Sequence, residues 1–367
     1  MPVWASSSVS SLFFVLITFI FAPILAPIFG FVHFVLSSPF ICHFFQHFFF
    51  AGIDASELCS VGASVGGLKH LSLQHAGRMT DQVLYSFADS LPLLESLHLD
   101  GAFLVSRRAY VRFFTAAGAR LRSLTLAATA RVGHDVVTAV VRACPNLQAL
   151  CLARLPRLDD SCVALLRQCR QLASLDLSHA GAVIMPDTVA GLLGVLGPGL
   201  DELRLAGLDC VSRPCTAAIG QHCARLRVLD LSDCAHLAGA DLEALFGDWP
   251  ANAGLRELYL ARLADLTAPA LRLAAAHSGP RLRVLDLSSC RGAGVAKAGL
   301  LAVLDACRHL QRLDAAFVRD LDDDVVEAMQ AVGIKRLSVW GCTRVTEACA
   351  VAADVAIVGR EADIVAR

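Results

Sequence analysis

An α/β solenoid, with a parallel sheet of short strands on a concave face and helices on the convex side, is predicted by three features of the sequence. The pattern L-x-x-L-x-L recurs along the chain, a helical pattern of apolar residues follows each copy, and cysteines recur at fixed offsets from the leucines. The middle leucines are Leu71, Leu97, Leu124, Leu150, Leu175, Leu203, Leu229, Leu258, Leu285, Leu313 and Leu337, at intervals of 24 to 29 residues. Eleven copies at such regular spacing exclude coincidence. The last two copies are looser, with Ala315 and Val339 in the final leucine position.

Each copy has its own internal logic. Alternation in L-x-L sends the leucines to one face and the intervening residues to the other, as a strand requires. The stretch after the strand then changes period. Val136, Val137, Val140 and Val141 share one helical face, as do Val163 and Leu166. Acidic and hydroxyl residues such as Asp159-Asp160-Ser161 and Asp322-Asp323-Asp324 stand where helices should begin, and accept from their free N–H groups. One such unit cannot bury its apolar face alone, whereas a stack shares one core. The expected shape is a leucine-rich-repeat horseshoe of about eleven repeats.

The cysteines define the repeat type. Cys144, Cys169, Cys223 and Cys307 each precede the first leucine of a copy by three residues. Cys234, Cys290 and Cys342 follow the last strand position by three, as in LRVLDLSDC and LRVLDLSSC. These read as small buried groups at repeat corners. None of the 14 cysteines forms a C-x-x-C pair, and neither Asn146 nor Asn252 opens a glycosylation sequon. A secreted disulfide framework is therefore not expected. Cys210, Cys215, His222 and Cys223 lack the paired spacing of a zinc site, and no metal or other cofactor is expected.

The composition changes abruptly at residue 54. All 32 basic and 33 acidic residues lie from Asp54 onward, whereas 13 of the 19 phenylalanines lie in the first 50 positions. Residues 1–53 therefore form an apolar, Phe-rich segment, residues 54–345 the cysteine-containing repeats, and residues 346–367 a carboxyl-terminal cap. Residues 12–50 are apolar enough to span a bilayer as a hairpin broken at Pro23, Pro27 and Pro39. Their richness in Phe, Leu, Ser and Pro, whose codons can be all pyrimidine, also fits a translated non-coding stretch in a truncated gene model, and a buried cap on the first repeat is the third reading. Membrane association is expected only if that segment is genuine.

No P-loop, dinucleotide fingerprint, G-x-S-x-G or H-E-x-x-H occurs, and the histidines are scattered, so no enzymatic role is expected. The position between the last two strand leucines is more informative. It carries Asp176, Arg204, Asp230, Tyr259, Asp286 and Asp314 in the carboxyl-terminal half, and with Trp340 these are the candidate partner-binding residues of the concave lane. The aspartates have two readings, repeat consensus or an acidic strip with an aromatic anchor for a basic protein surface. An acidic strip repels phosphate, and the formal charge of −1 supplies no overall field for nucleic acid. Arg107, Arg108, Arg112, Arg120 and Arg122 are the one basic cluster suited to a nucleic-acid patch, but they read more readily as a solvated helix face, so direct nucleic-acid binding is not expected.

The corner cysteines resemble those of F-box leucine-rich-repeat proteins, in which the solenoid presents substrates to a ubiquitin ligase. The stretches LESLHLDGAFLVSRRAYVRFF (94–114), FVRDLDDDVVEAM (317–329), SVWGCTRVTEAC (338–349) and GREADI (359–364) more closely resemble plant Rad-seven-like proteins, repeat relatives of a nucleotide-excision-repair factor. The resemblance implies a substrate-recognition or scaffold subunit of an SCF-like ubiquitin-ligase assembly, in protein catabolism or in DNA repair. It also implies ligase subunits as further partners, and the nucleus or cytoplasm as location. Residues 1–67 lack the amphipathic helices of an F-box. A membrane-tethered repeat receptor is the rival reading, with residues 12–50 as its anchor.

Overall fold

The computed structural model describes residues 67–346 except 74–76, 78, 182, 250–253 and 292–294, together with the backbone of 47–49 and 356–358. Most of the apolar segment 1–53 and most of the cap 346–367 therefore lie outside the described residues. Among the described residues, no helix is long and apolar enough to cross a membrane.

The strands are β1 (His47–Phe49), β2 (His70–Ser72), β3 (Ser96–His98), β4 (Ser123–Thr125), β5 (Ala149–Cys151), β6 (Ser174–Asp176), β7 (Glu202–Arg204), β8 (Val228–Asp230), β9 (Glu257–Tyr259), β10 (Val284–Asp286), β11 (Arg312–Asp314), β12 (Arg336–Ser338) and β13 (Ala356–Val358). They form one parallel sheet in strict sequence order. Between them lie ten described helices: α1 (Asp81–Ser90), α2 (Arg107–Ala117), α3 (His134–Ala143), α4 (Asp160–Leu165), α5 (Pro186–Leu196), α6 (Arg213–His222), α7 (Gly239–Asp248), α8 (Ala268–Ser278), α9 (Lys297–Ala306) and α10 (Asp323–Ala331). This is the horseshoe expected from the repeat. β1 and β13 extend the sheet past both boundaries drawn at residues 53 and 345, because each pairs in register with an otherwise open edge.

Register follows from the leucines. Leu203, Leu229, Leu258 and Leu285 are direct partners across β7 to β10, and each is at most 1 % exposed. They stack with the helix residues Leu192, Ile219, Leu242 and Leu271 into one continuous core. Helix starts follow the expected chemistry. The side chains of Asp159 and Asp322 accept from the N–H groups of Cys162 (2.9 Å) and Val325 (3.1 Å), and Ser106 and Thr267 cap α2 and α8 in the same way.

A second column was not anticipated. The residue two positions beyond each final strand leucine is left-handed in ten successive copies: Gly101, Ala128, Arg154, His179, Gly207, Asp233, Arg262, Ser289, Phe317 and Gly341, all with φ between 53° and 69°. Seven of the ten carry a Cβ, each at a cost of about 1–2 kcal/mol. The compensation is a hydrogen bond to the next repeat. The N–H of Asp233 donates to the carbonyl of Ala261 (2.8 Å), that of Arg262 to Ser288 (2.7 Å) and that of Ser289 to Ala316 (2.7 Å). The ladder thus continues around the corner after the strand has ended. At Gly207 an added Cβ would overlap the ring of exposed His179, which would have to swing aside.

This packing sets the expected cost of a core deletion. Leu229→Ala should destabilise the protein by ~2–5 kcal/mol in chemical denaturation, because a fully enclosed side chain leaves a cavity. Ser288→Ala, whose hydroxyl has no hydrogen bond among the described residues, should change stability by less than about 0.5 kcal/mol. Equal small effects would contradict the stacked-leucine register.

Candidate protein-interaction face and corner cysteines

The concave lane is real as a row. Strand pairing places Asp176 beside Arg204, then Asp230, Tyr259, Asp286, Asp314 and Ser338 in unbroken register. Neighbouring strands stand ~4.8 Å apart, so one partner could meet several of these side chains together. Trp340 is not part of it. It follows the strand by two residues, in the row that holds Ala261, Ser288 and Ala316 in earlier copies, and it is half-buried.

Both readings of the aspartates find a physical basis. Oδ1 of Asp176, Asp230 and Asp286 each accepts the N–H two residues on, from Ser178, Ser232 and Ser288, at 2.9 Å in every case. That bond explains L-D-L-S as a consensus, since it ties the strand end to the turn. Oδ2 of Asp176 also accepts weakly from the Cys151 thiol at 3.5 Å. Burial pushes the Asp230 carboxyl above the usual range, opposed by the Ser232 bonds and by Arg204. Asp314 differs, being 9 % exposed with its Oδ2 held by Arg312 at 2.7 and 2.8 Å. It is a member of the row but an internal counter-ion rather than a free carboxylate.

The basic residues of the lane region are also engaged. Arg204 pairs with Glu202 at 3.0 Å and stands between Asp176 and Asp230, which lowers the net charge of that end. The Tyr259 hydroxyl donates to Glu257 at 2.8 Å, and burial, with that bond, pushes its pKa up to about 12. It remains a protonated, fixed ring. The face is a ribbon of oriented polar groups around one aromatic residue, with net negative charge from Asp230 to Asp286.

The basic cluster near α2 disperses. Arg107 pairs with Asp135 (3.5 Å), Arg112 lies 4.5 Å over the Tyr85 ring, and Arg122 pairs with Glu95 (3.6 Å). These contacts fit a solvated helix face.

The corner cysteines gain a specific role. The thiols of Cys234, Cys290 and Cys342 donate to the carbonyls of Leu205 (3.4 Å), Leu260 (2.9 Å) and Ala315 (3.1 Å), each the final strand position one repeat earlier. Thr129 reaches the corresponding Leu99 carbonyl at 3.5 Å. The second set sits where helices end, and Cys144 nests against Gly118, where an added Cβ would come within 2.8 Å of the sulfur. The eleven described cysteines are all unbridged.

The set Cys210, Cys215, His222 and Cys223 is not assembled. The Cys215 thiol faces the carbonyls of Pro186 and Cys210, while His222 and Cys223 lie at the opposite end of α6. One other group of potential ligands, His134, Asp159 and Cys162, comes together among the described residues. Its geometry is that of a helix cap. Asp159 Oδ1 accepts from the Ser161 hydroxyl (2.6 Å) and the Cys162 N–H, which hold its pKa at about 2, and burial pushes the Cys162 thiol up to about 11.

With this geometry in place, known proteins can be set beside it. No family model matches the chain. The DNA repair protein rhp7 of Schizosaccharomyces pombe is 34 % identical over 293 residues, covering 79 % of this chain and 52 % of that protein. Along its repeats, the chain is a homologue of the Rad7/Rhp7 DNA repair proteins. The DNA repair protein RAD7 of Saccharomyces cerevisiae is 29 % identical over 315 residues, covering 81 % of this chain and 54 % of that one. The chain thus spans about half the length of the curated relatives it matches. The crystal structure of a Rad7 and Elc1 complex in yeast superposes with a TM-score of 0.75 at 24 % identity, over 92 % of this chain and 88 % of that chain. At that identity the superposition speaks for the solenoid fold. Of the two resemblances, these yeast relatives bear out the one to Rad-seven-like repair proteins.

Thiol chemistry tests the corner assignment. Burial pushes Cys144, Cys223, Cys234 and Cys307 up to about 12 and Cys290 to about 11, so their reactive thiolates are scarce at neutral pH. In the native protein at mildly alkaline pH, only a small minority of the 14 cysteines should react quickly with an aromatic disulfide reagent. Unfolding without reductant should release nearly all of them. A shortfall by pairs would mean disulfides and an oxidising environment.

Proposed function

We propose that this chain is the repeat portion of a Rad7-like nucleotide-excision-repair factor. In this reading it works in the nucleus as a non-catalytic scaffold, bringing a protein substrate to a ubiquitin-ligase assembly. The observation that carries the reading is the similarity to rhp7 across the repeat array. That relative is named a DNA repair protein, and the Rad7 relative was crystallised with a second protein, Elc1. In this reading the concave ribbon is the substrate contact. Asp176, Asp230 and Asp286 present carboxylate oxygens from a rigid sheet, and Tyr259 offers an aromatic surface with its rotamer held by Glu257. A basic protein segment would gain orientation and salt-sensitive association there.

The test removes charge while keeping the turn. Asp176→Asn, Asp230→Asn and Asp286→Asn together preserve an acceptor oxygen for each serine N–H. Thermal stability should therefore change little, while binding of the protein substrate should fall by at least about tenfold and lose its salt dependence. Unchanged capture would reduce the lane to repeat consensus. The ligase half of the reading has its own check. The tagged chain, recovered from cells after DNA damage, should bring ubiquitin-ligase subunits with it, and recovery of none would remove that half.

A further inference from the structure

A different row distinguishes the two halves of the horseshoe. The first variable position of L-x-x-L-x-L lies just before each strand, and runs Lys69, Glu95, Arg122, Gln148, Ala173, Asp201, Arg227, Arg256, Arg283, Gln311 and Lys335. The amino-terminal half neutralises itself. Glu95 lies 3.2 Å from Lys69 and 3.6 Å from Arg122, and Asp201 lies 3.5 Å from Arg225. From Arg227 onward the row contains no acid. Arg227, Arg256, Arg283 and Lys335 are all exposed, and among the described residues none of the four forms an ion pair.

These side chains are held in line by the backbone. The N–H of Arg256 donates to the carbonyl of Arg227 (2.7 Å), that of Arg283 to Arg256 (2.7 Å), that of Gln311 to Arg283 (2.8 Å) and that of Lys335 to Gln311 (2.9 Å). The row therefore occupies five adjacent strands and spans about 19 Å at the usual strand spacing. Arg281 and His309 add further donors where Arg256, Arg283 and Gln311 border a shallow hollow of ≈ 360 Å³. Uncompensated like charges this close repel one another, and the same position shows in the amino-terminal half that the repeat does not require them.

We propose that this row is a binding surface for the phosphate backbone of duplex nucleic acid, independent of base sequence. The aspartate ribbon is a separate row, and the two assignments stand or fall separately. The chemistry around the row selects the ligand. A protein partner of equal charge would need apolar anchors, since aromatic and aliphatic side chains in desolvated pockets carry most protein interfaces. The large exposed hydrophobic side chains among the described residues, such as Phe103, Leu104, Met185 and Phe317, all lie elsewhere. Single strands are bound by stacking bases on aromatic rings, and the row has none. What it offers is a line of guanidinium forks and an ammonium group, matched to anionic oxygens and indifferent to sequence. Its span corresponds to roughly five or six phosphates at 3.4 Å of rise per strand.

The test is salt-dependent binding of the full chain to a labelled mixed-sequence DNA duplex of about 30 base pairs, followed by fluorescence anisotropy. Four phosphate contacts predict a slope of log affinity against log salt of about −3.6, or roughly a 150-fold loss between 50 and 200 mM. Arg227→Gln, Arg256→Gln and Arg283→Gln together should flatten the slope to about −0.9, and each alone should reduce it by about 0.9. The single variants keep the test valid should the triple variant melt early. The charge-matched control Arg107→Gln, Arg108→Gln and Arg120→Gln, outside the row, should retain the wild-type slope. Absence of wild-type binding at 50 mM salt, an unchanged slope in the row variants, or an equal effect in the control would overturn the assignment. Polyglutamate of matched charge binding as tightly as the duplex, and with the same sensitivity to the row variants, would overturn it in favour of an acidic protein.

Discussion

Among the described residues no strand is longer than three, so no strand is stable by itself. Each depends on a parallel neighbour for its hydrogen bonds and on the neighbour's leucines for burial. That lateral dependence organises the molecule. It explains why Leu203, Leu229, Leu258 and Leu285 are nearly invariant in kind and almost fully enclosed, while the residues between them vary freely. It also explains why the left-handed residues after the strands are tolerated in seven copies with a side chain. Each sacrifices local conformational energy for a hydrogen bond that joins two repeats.

The corner cysteines belong to the same system. A strand that ends after three residues leaves carbonyls at its exit, and those inside the turn cannot reach water. The thiols of Cys234, Cys290 and Cys342 reach back one repeat to these carbonyls, with Thr129 doing similar work in an earlier copy. A thiol suits the place because it is a small apolar body with one weak donor. Burial keeps it protonated, so the donor is retained.

A rigid stack also arranges chemistry into rows, because each variable position repeats at the strand spacing. The surface of the stack therefore behaves as parallel strips rather than as a pocket. One strip carries Asp176, Asp230 and Asp286 with Tyr259, and another carries Arg227, Arg256, Arg283 and Lys335. Two strips of opposite sign on one scaffold suit an adaptor that holds unlike partners side by side. The similarity to DNA repair proteins across the repeats gives such an arrangement a natural setting.

Much of this was legible in the sequence, because a repeating solenoid turns spacing directly into contact. The intervals between leucines specified strand order, parallel pairing and register, and the helix caps at Asp159 and Asp322 followed from local hydrogen-bond chemistry. The lane of aspartates was likewise found by counting. The basic row was countable too, yet the arginines that stand close together along the chain are Arg107 to Arg122, whereas residues adjacent in space here are some 27 positions apart in sequence. Only the tertiary structure decided which charges were free. Asp314 proved to be a counter-ion to Arg312, Arg122 a partner of Glu95, and Trp340 a neighbour of the lane rather than a member. Periodicity determines where a backbone position lies, whereas the pairing of a long charged side chain depends on what the next repeats place within its reach.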